Sequence, residues 1–147
     1  MSFIKKAKLS DIFIGRLDHG TDLLEEITDI CRNNDIRLGR VEAIGAVRKA
    51  RLAYYDQHTF EYRFFTIDKP LEIVTLTGNI SLRDGEPFVH AHIALADKAG
   101  TVFGGHLASG TIVFACETII ESMEGTPFER EFDEETHLPL WIRKPHD

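Results

Sequence analysis

The sequence predicts a mixed α and β fold (α/β, of the α+β kind) in a single domain, with one main helix covering a face of a β-sheet. Three observations predict it. Leu23, Leu24, Ile27, Ile30 and Cys31 recur at helical spacing. Stretches such as Glu72-Ile73-Val74-Thr75-Leu76-Thr77-Gly78-Asn79-Ile80-Ser81-Leu82 are rich in β-branched residues and read as strands. At 147 residues, with 43% hydrophobic and 28% charged residues, the chain is long enough for one core and ordinary in composition for a globular protein.

Ile12-Phe13-Ile14 predicts a short first strand, and Asp18-His19-Gly20 a turn. Thr21 or Asp22 caps the helix, and Asp22 with Glu25 has the spacing of a capping box. Asn33-Asn34 ends it. Val41, Ala43 and Ile44 begin a strand in which Gly45 predicts a bulge or a close backbone contact. A separate strand runs from Arg51 to Tyr55. Phe60, Tyr62 and Phe64 alternate with Glu61, Arg63 and Phe65, as in a strand with one wet face. Pro70 is a boundary before the strand from Glu72 to Leu82, where Gly78 reads as a bulge. Asp84-Gly85-Glu86-Pro87 is a turn. Thr111 to Ile120 is a last long strand. Residues 121–147 form an acidic extension, irregular around Pro127, Pro139 and Pro145. Phe128, Phe132, Leu138, Leu140, Trp141 and Ile142 can dock it to the body.

The chemistry-bearing residues are His90-Ala91-His92 and, further on, Gly104-Gly105-His106-Leu107. The two segments read as arms of one hairpin. Asp97-Lys98-Ala99-Gly100-Thr101 has the form of a three-residue loop with a glycine where φ is positive. Counting back from Asp97 opposite Thr101 pairs Ala94 with Gly104, His92 with His106 and His90 with Ala108. Opposed residues share a side, as do residues two apart on one strand. The three imidazoles therefore converge, with small neighbours that leave room for an ion and a ligand. Val89, Ile93, Leu95, Phe103 and Leu107 form the opposite, core face, whose burial pins the register. Three protein nitrogens with a fourth position open is the arrangement of a catalytic metal site. Imidazole suits zinc, copper, nickel or iron, and zinc is the expected ion. The alternative is three hydrogen-bonded histidines lining a polar pocket.

A net charge of −7 argues against a general phosphate-binding surface. The basic clusters Lys5, Lys6 and Lys8, then Arg48, Lys49 and Arg51, then Arg143 and Lys144, are short and read as solvated surface. Cys31 and Cys116 make no disulfide framework and read as reduced, buried side chains of a cytoplasmic protein. Lys5, Lys6, Lys8 and Asp11 interrupt any signal-peptide pattern, and no apolar run approaches a membrane span.

Gly15-Arg16-Leu17-Asp18-His19-Gly20-Thr21-Asp22-Leu23, Ala43-Ile44-Gly45-Ala46-Val47, the strand around Gly78, and the His-x-His to Gly-Gly-His hairpin occur in that order. Together they resemble the plants-and-prokaryotes conserved domain (PPC domain, or domain of unknown function 296), over a core of about residues 12–120. The resemblance implies a large, mainly antiparallel sheet and a homotrimer. Plant members place the domain after an AT-hook, which this chain lacks, and typically lack the three histidines. Prokaryotic single-domain members commonly have them. The resemblance thus implies His90, His92 and His106 as metal ligands, in agreement with the hairpin count.

Glu117 breaks the last apolar strand and resembles the family's acidic position there. It reads as a fourth ligand, a partner holding an imidazole tautomer, or a catalytic base. The alternative is an outward charge or a subunit salt bridge. Glu72 is a weaker candidate for the same parts. His19 reads as a turn residue, and His58, His137 and His146 are assigned nothing. Three functions follow. The first is a metal-dependent protein that binds or transforms a small molecule by polarising a carbonyl or activating water. The second is a DNA-associated regulator, which the acidic balance and missing AT-hook oppose. The third is a metal-stabilised interaction module without turnover.

Overall fold

The computed structural model describes residues 2–143; Lys144, Pro145 and His146 lie outside the described residues. Helix α1 (Leu23–Asn33) begins where the Asp22 carboxylate accepts from the Leu24 and Glu25 N–H groups at 3.1 and 3.2 Å. The capping box is only half made, because Glu25 gives its carboxylate to the Ser109 hydroxyl. Leu23, Ile27 and Cys31 are fully buried, with Leu24 and Ile30 at the margin of the core. Each large aliphatic side chain taken from water contributes about 1.5–3 kcal/mol, and this fastens the helix to the sheet.

The sheet has strands β1 (Lys8–Leu17), β2 (Gly39–Asp56), β3 (Glu61–Ile67), β4 (Leu71–Arg83), β5 (Glu86–Ala96), β6 (Val102–Leu107) and β7 (Ile112–Glu124). Their order is β1-β7-β2-β4-β5-β6, with β3 beside the far half of β2. Every strand pair in it is antiparallel. One face packs on α1 through Val41, Leu76, Ile80, Ile93, Leu95 and Ile120. The predicted class and single helix are therefore observed, in one domain.

Several boundaries differ. The two strands expected at 41–47 and 51–55 are one strand, β2. No turn residue interrupts Arg48-Lys49-Ala50, and register shifts near Gly45 and Val47 bend the strand instead. Its first half pairs with β4 and β7, its second with β3 and β6. Gly45 has φ +142°, and a side chain there would meet the Ala115 carbonyl, so both readings of that glycine hold. Gly78 is not a bulge. It pairs in register with Ala91, and a Cβ would stand 2.6 Å from the His90 carbonyl oxygen. The first and last strands outrun their apolar cores because they pair with each other as far as Lys8 and Glu124. β3 has two wet faces rather than one, since it pairs only with β2 and leaves Tyr62, Phe64 and Phe65 exposed.

The acidic extension is more ordered than expected. β8 (Arg130–Phe132) and β9 (Pro139–Trp141) form a small hairpin. Phe128 stacks on Trp141 with ring centres 4.4 Å apart, and the Phe128 carbonyl accepts from the Leu82 N–H. The Tyr55 hydroxyl donates to the Thr136 carbonyl at 2.5 Å. This arm thus lies against both the β4 end of the sheet and the β2–β3 hairpin. Cys31 and Cys116 are buried and unpaired, as expected. Among the described residues no helix is long and apolar enough to cross a membrane.

Candidate metal centre

The β5–β6 hairpin has the register that its loop dictates. Asp97 and Thr101 face each other, with the Asp97 N–H donating to the Thr101 carbonyl at 3.0 Å. The Asp97 carboxylate accepts from the Ala99 and Thr101 N–H groups, and Gly100 sits at φ +78°. Ala94 then pairs with Gly104 and His92 with His106. The ladder does not continue to the expected His90–Ala108 pair. Beyond His106, β6 leaves β5 for β2, where Leu52 faces Leu107 and the Ala108 N–H donates to the Arg51 carbonyl. Ala108 is buried there. His90 instead has Asn79 of β4 as its partner, and Thr77 faces His92.

The convergence survives that change. His90, His92 and His106 each offer a ring nitrogen, and these nitrogens lie within 4.8 Å of one another. The Nε2 atoms of His90 and His92 are 3.3 Å apart. Two ligands of a tetrahedral zinc ion are separated by about 3.3 Å, so this edge already has the required length. His90 and His106 are half-buried and His92 is exposed. Burial, the neighbouring His106 and His92 and the Arg130 guanidinium push His90 down to about 4. Burial, His92 and Arg130 also lower His106. The His90 and His106 rings are thus kept neutral at pH 7, which leaves their lone pairs free for an ion. The donor set and its geometry fit a divalent transition metal.

Two residues that sequence reasoning did not single out border this cluster. The Tyr62 ring lies 5.1 Å from that of His106. Arg130, on β8, donates to Asn79 Oδ1 and Ser81 Oγ, each at 2.8 Å. Part of a signal was present: Phe128, Arg130 and Phe132 share one parity in Phe-Glu-Arg-Glu-Phe, although on β8 only Arg130 is buried and Phe132 is exposed.

Other candidates fall elsewhere. Glu117 is exposed on β7, between Arg16 and Ile44. Strands β2 and β4 separate it from β5, a displacement of about 14 Å at normal strand spacing. It therefore does not reach the cluster of its own chain. Glu72 faces Ala96, at the far end of β5 from His90. His19 occupies its turn, with Nδ1 2.8 Å from the Phe114 carbonyl oxygen. His137 stacks on Phe60. Arg51 lies over the Phe64 ring and donates to the Ser109 carbonyl.

A model of the Plants and Prokaryotes Conserved (PCC) domain matches residues 4–124. The chain belongs to this family. The match runs from before β1 to the end of β7, so it contains all three histidines and stops short of the arm. Among solved structures, the PCC fold here is similar to that of a metal-containing protein of Archaeoglobus fulgidus. The two are 41% identical with a TM-score of 0.92, over 97% of this chain and 100% of the other. It is also similar to a plant- and prokaryote-conserved (PPC) protein of Pyrococcus horikoshii, 31% identical with a TM-score of 0.90, over 97% and 99% of the two chains. Among curated proteins, a bifunctional protein GlmU of a Synechococcus strain is 35% identical over 133 residues. That match takes 88% of this chain, which spans about a fifth of the curated relative's length.

Proposed function

We propose that this PCC-domain protein binds one divalent transition metal, zinc in the first instance, through His90, His92 and His106, and acts on a small molecule at that ion. The observation that carries this reading is the convergence of three ring nitrogens within 4.8 Å on one side of a hairpin. The metal content named for the Archaeoglobus fulgidus relative supports it. A bound ion would act as a Lewis acid toward a carbonyl or water oxygen. The chain's own part is to hold three imidazoles in place, with Gly78 letting the His90 backbone press against β4.

The working form is proposed as a homotrimer. Ile12, Ile14, Ile44 and Ile119 are exposed on the side of the sheet away from α1, and Ile14 pairs with Ile119. Such a group of exposed aliphatic side chains, interleaved with Glu42, Glu117 and Glu121, supports self-association. Glu117 lies on the same face, so a role for this residue would be played at the proposed subunit contact.

Elemental analysis of protein purified without chelators tests the metal reading. The expected result is close to one transition-metal ion per chain in the wild type and loss of that ion in His92→Ala. Absence of metal from the wild type overturns it. Light scattering tests the assembly, with an expected mass of about three times 16.7 kDa.

A further inference from the structure

Arg130 is 8% exposed, yet its three hydrogen-bond acceptors are all neutral: Ser81 Oγ, Asn79 Oδ1 and the Pro139 carbonyl. The Phe88 and Trp141 rings lie 5.3 and 5.4 Å from the guanidinium carbon. Among the described residues no carboxylate comes within ion-pair distance of it. A buried charge ordinarily has a counter-charge, because burial without one is costly. A guanidinium carries five N–H donors, so two remain beyond the three bonds made here.

The location gives this missing charge a use. Asn79, which holds Arg130, stands directly across the β4–β5 ladder from His90. Opposed side chains in such a ladder project to one side, so the guanidinium is one residue removed from the cluster. Every charged neighbour that acts on His90 and His106 is a cation or another imidazole. With an ion on the three rings, a dication and a guanidinium would be one residue apart, and among the described residues no carboxylate lies within ion-pair distance of the guanidinium. This occurs in a chain whose overall charge is −7.

We propose that the site takes a small oxyanion, a carboxylate or phosphate group with one oxygen on the ion at His90, His92 and His106 and another on the Arg130 guanidinium. The inference rests on the metal reading above. The two N–H groups that Arg130 has left can give a charge-assisted hydrogen bond to the oxygen that the ion does not take. The ion keeps a coordination position that three histidines leave open. The substrate class is therefore anionic, and its charged group is the part that is recognised.

The test uses full-length protein loaded with cobalt(II), whose visible bands report on the coordination position. Metal content is measured first in every sample. Glycolate, inorganic phosphate and the neutral glycolamide are then titrated separately. The expected result is saturable binding of glycolate or phosphate. Glycolamide should bind at least about ten-fold more weakly, and Arg130→Gln should lose at least about ten-fold in anion affinity with its metal content unchanged. The tighter of the two anions identifies the group as carboxylate or phosphate. Asn79→Asp is the second variant, for the case in which Arg130→Gln does not fold. It leaves Arg130 in place, pairs its charge, and should weaken the anion to a similar extent. A residue that merely fastens the arm would shift thermal stability and leave these affinities alone. Equal anion affinity in wild type and folded variants, equal binding of glycolate and glycolamide, or no anion binding to fully loaded wild type each overturns the inference while the metal reading stands. Wild type that takes up no cobalt refutes the metal reading, and the oxyanion falls with it.

Discussion

The β5–β6 hairpin and the C-terminal arm border the same three histidines but are held in place by different means. The hairpin is set locally: Asp97 and Gly100 close the loop, and the pairing of His92 with His106 follows from it. The arm is set at long range. Arg130 finds its side-chain partners 49 and 51 positions away, and Tyr55 holds Thr136 from 81 positions away. The difference separates two properties of the site. Its ligand set is encoded within one supersecondary unit, whereas its charge is delivered by a segment outside the 4–124 span of the family match. The two should therefore respond independently to mutation.

Gly78 offers the largest break. It lies where β4 presses against the backbone of His90, and a Cβ would stand 2.6 Å from a carbonyl oxygen and 2.8 Å from the Ala91 Cβ. Neither neighbour is a flexible side-chain end, so strands must separate to admit one. Gly78→Val is expected to cost about 3 kcal/mol of unfolding free energy in denaturant titration and to displace His90 enough to lose the metal.

Trp141→Ala acts on the other region. It removes the stack on Phe128 and one ring beside Arg130. A loss of about 2 kcal/mol is expected, since Trp141 is only partly covered, together with faster proteolytic cleavage of the arm. Metal stoichiometry should stay at the wild-type value. If it falls with the arm, the two regions are not separable and the comparison above is wrong.

How much of this was legible follows the same division. His90, His92 and His106 came together from a loop count and period-2 alternation, because both rules operate within a few residues. The exception is instructive: the His90–Ala108 pair fails because β2 competes for β6 beyond His106, and no local rule anticipates a competing strand. The same limitation split β2 into two predicted strands, since its bend is absorbed by bulges whose partners lie on β4 and β7. Arg130 sits in an acidic, proline-marked stretch whose brief alternation does not say what it packs on; Ser81 and Asn79, 49 and 51 positions away, supply that. Glu117 shows the same limit: an acid in an apolar strand signals a special position, but its place on β7, three strands from the histidines of its own chain, follows from the sheet order alone.

Gly100 gives a smaller and purely local effect. At φ +78° with open space around its missing Cβ, Gly100→Ala meets backbone strain but no clash. About 1 kcal/mol of stability should be lost, with the His92–His106 register and the metal retained. Set beside Gly78→Val, this variant distinguishes a glycine needed for its conformation from one needed for its size.

The last effect is absent at neutral pH and emerges only on acidification. In the metal-free protein His90 is pushed from 6.5 down to about 4, first by burial and then by His106, Arg130 and His92. His106 is lowered for the same kinds of reason. Between these values the unfolded chain binds protons that the folded chain refuses, so the stability these two histidines contribute is lost as pH drops from about 6.5 toward 4, and their share of the change ends below that. Asp56, Asp97 and Asp133 titrate below 3.8 and lie outside this window. Thermal melts of chelator-treated protein should show the decline, and His90→Gln should flatten it. Removing the guanidinium with Arg130→Gln should reduce it less, because burial of the ring is the larger cause. If the two substitutions flattened the profile equally, the arm's charge rather than the hairpin's burial would be setting the protonation of the cluster. The separation drawn between the two regions would then have to be abandoned at its centre.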